Sequence, residues 1–105
     1  MVNPFAGEVA VVMNGSALTA KLTLGALAEL EEGLQTGSLM ELIERIEARR
    51  FSARDVLAIL VAGLRGGGWQ GTAEDLAQAE FAGGPMGAAK AAAQLLARAF
   101  SLPEE

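Results

Sequence analysis

The chain has 105 residues, of which 51% are hydrophobic and 20% charged, and its formal net charge is −5. This length predicts a single domain over residues 1–105 that buries about 60–70% of the surface of the unfolded chain. The acidic balance and the few, scattered Lys and Arg residues argue against general binding of nucleic acid or of an anionic membrane, because such binding needs clustered positive charge.

The sequence contains no Cys, His or Tyr. The commonest general base, the thiol nucleophiles and most transition-metal ligands are therefore missing. We expect a protein that is not an enzyme, with no catalytic, cofactor-binding or metal-binding residues. The lack of Cys favours a cytoplasmic protein, and neither a signal peptide nor a membrane-spanning segment is expected.

Asn14-Gly15 predicts a tight β-hairpin, because this dipeptide tolerates the positive φ angles of a type I′ turn. The register that the turn imposes pairs Val11 with Leu18, Val9 with Ala20 and Glu8 with Lys21. An isolated hairpin is marginal in water, so its apolar face should pack on helices. The residues expected to be buried there are Val9, Val11, Met13, Leu18 and Leu22.

Five helices are predicted after the hairpin, four of them from side-chain oxygens that can accept from the free backbone N–H groups of a helix start. The expected caps are Thr23, Ser38, Ser52 and Thr72, and Ser38 forms a capping box with Glu41. The predicted helices begin after Thr23, cover 39–49 and 53–65, run from Thr72 to near Phe81, and extend from Pro85 to about Phe100. Asp55 and Asp75 are interpreted as first-turn acids that complement helix dipoles.

Apolar spacing indicates which helical faces are buried. The expected stripes are Leu24, Leu27, Leu30 and Leu34 in the first helix, and Leu39, Leu42, Ile43 and Ile46 in the second. Glu41 and Arg45 should form an exposed ion pair four residues apart. Residues 53–65 are apolar on nearly all sides, which predicts a central helix that the glycines at 66–68 end. The whole pattern predicts an α+β fold that is mostly α, with an N-terminal β-hairpin, a bundle of four to five short helices and a frayed tail at about 102–105.

Several segments together resemble a known family of phage-like proteins. These are the Asn-Pro-Phe-x-Gly-Glu start at 3–8, the Asn-Gly hairpin, the run LTLGALAELE at 22–31, RFSARD at 50–55 and VAGLRG at 61–66, with a looser match at 87–98. The family comprises tail proteins of alphaproteobacterial gene transfer agents, described as tail tube proteins or as tail assembly chaperones. The resemblance implies a structural or assembly role without catalytic content.

Three functions are carried forward. The resemblance favours a tail assembly chaperone that binds the tape measure protein and the tail tube protein, and it is compatible with a homo-oligomer. The alternative is a structural tail tube subunit that stays in the particle, although only one clear hairpin is predicted and a tube needs a substantial sheet. A small transcriptional regulator is a third reading, which the acidic residues Glu74, Asp75 and Glu80 in the second helix of the 54–81 segment disfavour.

The candidate protein-interface residues are Met40, Trp69, Phe81, Met86 and Phe100. Each is expected more often in the core than in a contact. Trp69 stands in a glycine-rich loop and either plugs the helical core, the favoured reading, or anchors an interface. The glycine runs at 66–68 and 83–87 superficially resemble phosphate-binding loops, but they lack the Lys-Ser/Thr of a P-loop and are better explained as helix breakers.

Overall fold

The computed structural model describes residues 3, 6–34 and 38–100. The elements in chain order are β1 (Glu8–Met13), β2 (Ser16–Lys21), α1 (Leu24–Gly33), α2 (Leu39–Glu47), α3 (Ala53–Gly66), α4 (Ala73–Ala77) and α5 (Gly84–Phe100). This order confirms the predicted α+β, mostly α fold. The tail expected at about 102–105 lies outside the described residues.

The hairpin has the register that its turn predicts. β1 and β2 pair antiparallel, with Val11 opposite Leu18, Val9 opposite Ala20 and Glu8 opposite Lys21. Asn14 and Gly15 have φ angles of 52° and 80°, as a type I′ turn requires. Val9, Val11, Met13 and Leu22 are buried and Leu18 is partly buried. The hairpin is therefore held by its apolar face against the helices.

All four predicted helix caps are present. The Thr23 hydroxyl accepts a hydrogen bond from the Ala26 N–H at 3.1 Å. Capping boxes open α2, α3 and α4, where Ser38, Ser52 and Thr72 each accept from the backbone N–H three residues ahead. Residue spacing alone therefore locates the start of each of these helices.

The predicted stripe of α1 is wrong at Leu24, which is 84% exposed. The buried residues of this helix are Ala26 and Leu30. At 100° per residue, Leu24 lies about 120° around the helix axis from Leu30. Leu24 therefore lies outside the face that α1 buries, although its spacing from Leu27 had suggested that it belongs to that face. Leu27 and Leu34 are partly buried on the predicted side.

Two helices end earlier than predicted. α2 ends at Glu47 rather than near Arg49, because the Arg49 and Arg50 N–H groups bond back to the carbonyls of Ile46 and Arg45. This arrangement closes a Schellman turn. α4 ends at Ala77 rather than near Phe81, because Phe81 instead forms an antiparallel β-bridge with Met13.

The bridge at Phe81 fastens the segment after α4 to the outer edge of β1. The Ala82 N–H donates to the Val12 carbonyl at 3.1 Å, and the Asn14 N–H donates to the Glu80 carbonyl at 2.7 Å. The Asn14 side chain also accepts from the Glu80 N–H at 2.9 Å. Asn14 therefore serves both the turn and this long-range junction.

The centre of the molecule is α3, as its nearly continuous apolar character predicts. It packs against β2, α1, α5 and α4. Near its C-terminal end, Gly66 and Gly67 approach the backbone of β2 so closely that an added Cβ would overlap the carbonyls of Lys21 and Thr19. These glycines therefore do more than end the helix, because they let α3 lie directly on the strand.

Candidate functional site

An apolar groove lies beside the N-terminal halves of α3 and α5, with α4 forming part of its wall. Its volume is about 660 Å³. The large side chains that line it are Phe51, Leu57, Leu76, Phe81 and Met86. We call this set the apolar groove. Its wall includes one ionisable residue, Glu80.

The apolar groove is built by local features that bring three segments together. The Ser52 cap starts α3 and fixes where Ala53, Val56 and Leu57 face the groove. The β-bridge holds Phe81 at the opposite wall. Met86, in the first turn of α5, is 78% exposed and stands at the edge. Such a surface can bury a partner's apolar side chains without any rearrangement of the core.

The five candidate interface residues do not form one site. Phe81 and Met86 both line the apolar groove, whereas Met40, Trp69 and Phe100 do not. Met40, Met86 and Phe100 are exposed, so the expectation that they belong to the core is wrong for these three. Their helices bury other faces, which leaves them towards solvent.

Trp69 and Phe81 are partly buried and pack against the core. The ring of Trp69 covers Gly71, where an added Cβ would overlap the indole. The backbone N–H of Trp69 donates to the backbone carbonyl of Leu64 at 2.9 Å. These contacts agree with the favoured reading of Trp69 as a residue that closes one end of the helical core.

An ion pair joins α2 to α3 on the other side of the α3 start. Arg45 Nε lies 3.1 Å from Asp55 Oδ2, and Arg45 Nη2 lies 2.9 Å from Asp55 Oδ1. The predicted Glu41 and Arg45 pair is replaced by this contact, while Glu41 accepts from the Ser38 N–H in the capping box. A planar guanidinium can engage both carboxylate oxygens at once, which favours Asp55 as its partner.

Asp55 is also the acidic residue of the α3 capping box, because its carboxylate accepts a hydrogen bond from the Ser52 N–H at 3.0 Å. The hydrogen bonds from Arg45 lower the pKa of Asp55 below its ordinary value, against the opposing effect of burial, and the Ser52 N–H adds to the lowering. The hydrogen bond to Asp55 in turn raises the pKa of Arg45. Both groups are therefore held in their charged forms.

Arg45 also lines a second depression, of about 440 Å³, with Arg50 and Arg54. Gly33, Leu34, Phe51, Ser52, Asp55 and Ala58 complete its lining. We call this the arginine pocket. Phe51 lines both depressions, so the apolar groove and the arginine pocket flank the start of α3.

A family model described as "Phage tail tube protein, GTA-gp10" matches residues 6–102. The chain belongs to this family. The match confirms the resemblance to gene transfer agent tail proteins, which the hairpin and helix motifs had indicated. Comparison with curated proteins and with solved structures gave no match.

Membership of the GTA-gp10 family gives the chain a role in a phage-like tail, within a structural and non-enzymatic class of proteins. Among the described residues, no group of three or more Asp or Glu side chains is arranged to hold a metal ion. None of the helices within these residues is long and apolar enough to cross a bilayer.

Sequence reasoning named Phe81 and Met86 as interface candidates but missed Phe51, Leu57 and Leu76 in the apolar groove. The sequence did contain an indication for Leu57. It lies in a helix that is apolar on nearly all sides, and the core does not have to cover every side of such a helix. Phe51 carried no comparable signal, since its position depends on how α3 and α5 meet.

Proposed function

We propose that this GTA-gp10 family chain is a non-enzymatic tail assembly chaperone that binds the tape measure and tail tube proteins during tail assembly in the cytoplasm. The observation that carries the proposal is the apolar groove, an open surface with large apolar side chains at its walls and edge. Family membership supplies the tail context. The groove supplies a means of holding a partner that is not yet assembled.

An amphipathic helix of the tape measure protein is the occupant that we propose for the apolar groove. Helix-in-groove recognition places apolar side chains at i, i+3 or i+4 and i+7 into a hydrophobic cleft. Glu80 in the wall and Glu74 on α4 make the α4 side acidic. A bound helix with Lys or Arg beside its apolar stripe would complement that side.

The test uses two exposed methionines as a matched pair. Met86 lies in the apolar groove and Met40, which is 61% exposed, lies outside it. The full chain and its Met86→Glu and Met40→Glu variants are each co-expressed with tape measure segments, and the captured complexes are quantified. We expect Met86→Glu to lose most of the captured segment and Met40→Glu to retain it, with both variants as helical as the parent by circular dichroism.

Purified particles provide the second arm of the test. A chaperone acts before completion, so mass spectrometry should find the chain in tail precursors and not in finished particles. Equal capture by both methionine variants would remove the groove from the proposal. Failure of the parent chain to capture either tail protein would contradict the chaperone function itself.

A structural tail tube subunit is the second candidate, and the description of the family as a tail tube protein favours it. The sheet within the described residues has two strands and one additional β-bridge, whereas a tube wall needs a sheet that continues between subunits. Stable hexameric rings or tubes of the purified chain, together with abundant recovery from particles, would reverse our order of preference.

A further inference from the structure

Positive charge is concentrated in one short segment of this acidic protein. Arg45, Arg49, Arg50 and Arg54 provide four of the eight basic residues of the chain within ten positions. The sequence-based view that the basic residues are scattered is therefore wrong for this segment. The fold gathers Arg45, Arg50 and Arg54 around the arginine pocket.

Asp55 is the one acidic residue in the lining of the arginine pocket. Its two oxygens are already engaged by Arg45 and by the Ser52 N–H. One positive charge of the pocket is thus balanced internally. Among the described residues, Arg50 and Arg54 have no carboxylate within ion-pair distance. The pocket consequently carries a local excess of two positive charges.

The shape of the arginine pocket suits a side chain and a carboxylate together. Leu34, Phe51 and Ala58 supply apolar surface, and all three are partly buried. Guanidinium groups beside such a surface can bind a carboxylate through two parallel hydrogen bonds. A ligand that fits would carry a carboxylate close to a short apolar group.

The backbone at the edge of the pocket is fixed. The Arg50 N–H donates to the Arg45 carbonyl at 2.8 Å, so the Schellman turn links two of the three pocket arginines. Arg49 occupies the left-handed region of that turn with a φ of 59°. This anchoring lowers the entropy that the turn would lose on binding a ligand.

We propose that the arginine pocket is a docking site for an acidic segment of a partner protein, in which a glutamate or aspartate binds Arg50 and Arg54 and an adjacent apolar side chain rests against Phe51. Nucleic acid is the disfavoured occupant. A phosphate backbone needs a longer basic track than the three arginines of this pocket provide. Arg50 and Arg54 do not line the apolar groove, although the two depressions share Phe51. The proposal does not depend on the chaperone function.

The experiment titrates the full chain with a blocked peptide that contains two leucines flanked by glutamates, at low salt. The matched ligand replaces every glutamate with glutamine. Binding is followed by NMR through the Nε–Hε signals of the arginines, with Arg65 and Arg98 as internal references outside the pocket. We expect the glutamate peptide to shift the Arg50 and Arg54 signals selectively and the glutamine peptide to shift neither.

Two variants of equal net charge complete the design. Arg50→Gln/Arg54→Gln removes the two available guanidinium groups, while Lys21→Gln/Lys90→Gln removes two charges outside the arginine pocket. We expect affinity to fall about tenfold in the arginine variant, as for two exposed charge pairs, and to change less than about twofold in the lysine variant. Both variants are checked for unchanged circular dichroism.

Three results would overturn the proposal. The first is equal loss of affinity in the arginine and lysine variants, which would indicate attraction by overall charge. The second is tighter binding of a single-stranded oligothymidylate than of the glutamate peptide, which would assign the pocket to nucleic acid. The third is the absence of any selective shift at millimolar peptide.

Discussion

Asp55→Asn provides a direct test of the junction between α2 and α3. The substitution keeps the size of the side chain but removes its charge. In the folded protein the carboxylate accepts three hydrogen bonds, from the Ser52 N–H at 3.0 Å and from Arg45 Nε and Nη2 at 3.1 and 2.9 Å. An asparagine has one acceptor oxygen, so it cannot replace all three, and its amide group would face the guanidinium.

The expected loss combines a capping-box contribution with that of a charge-assisted hydrogen bond. Each is about 1 kcal/mol or more in a protected site. The side chain of Asp55 is only 12% exposed, but its partner is 33% exposed, so solvent weakens the ion pair. We therefore expect Asp55→Asn to lower the free energy of unfolding by about 1–2 kcal/mol at pH 7.

The pH dependence follows from the direction of the pKa shift. Hydrogen bonds from Arg45 lower the pKa of Asp55 in the folded state below that in the unfolded chain. The resulting stability is complete above the unfolded-state pKa, about 3.9, and is lost as the pH falls through the folded-state pKa. Asparagine does not titrate. The difference in unfolding free energy between parent and variant should be constant from about pH 5 to 7 and shrink below about pH 4.

Urea unfolding at several pH values, followed by circular dichroism, measures this difference. Asp75→Asn is the matched control, because Asp75 caps α4 by accepting from the Thr72 N–H at 3.0 Å and has no arginine partner among the described residues. Asp75→Asn should remove only a capping interaction and lower the free energy of unfolding by about 0.5–1 kcal/mol. Equal losses in the two variants, or an Asp55→Asn difference that persists unchanged at pH 3, would refute the assigned role of Arg45.

Four further substitutions test the packing and one turn, each measured by urea unfolding. Leu60→Ala should lower the free energy of unfolding by about 2–5 kcal/mol, because Leu60 is fully buried. Leu24→Ala, at an exposed position, should change it by less than about 0.5 kcal/mol. Similar losses in the two variants would contradict the assignment of Leu24 to the exposed face of α1. Gly67→Ala should lower the free energy of unfolding by about 1–3 kcal/mol, because the new Cβ would overlap the Thr19 carbonyl. An unchanged free energy of unfolding would mean that β2 can shift away from α3 at little cost. Arg49→Gly should raise stability by about 1 kcal/mol by relieving a φ of 59°, and a loss would assign the Arg49 side chain a stabilising contact.

Features that depend on near neighbours in sequence were predictable. The hairpin register follows from Asn14-Gly15, and each capping box is set by two residues three positions apart, as at Ser52 and Asp55. In both cases the interacting groups are close before the chain folds. The physical chemistry of a few residues is then sufficient to fix the local structure.

Features that depend on the meeting of distant segments were not predictable. The bridge between Met13 and Phe81 joins residues far apart in sequence, and the segment around Phe81 carries no strand pattern that would predict it. The selection of Asp55 rather than Glu41 as the partner of Arg45 also depends on how α2 meets α3. The apolar groove and the arginine pocket arise from such meetings, so the sequence indicated some of their residues but not the sites.

The two ends of α3 are packed differently, and this difference separates stability from binding. At the C-terminal end, Gly63 lies against Leu95, while Gly66 and Gly67 lie against the β2 backbone, so α3 is packed tightly on β2 and α5 there. At the N-terminal end, the apolar groove and the arginine pocket lie on opposite faces and share Phe51. Substitutions near the C-terminal end should therefore change stability first. Exposed substitutions near the N-terminal end should change partner binding while the fold is retained, because the central contacts of α3 with β2 and α5 remain in place.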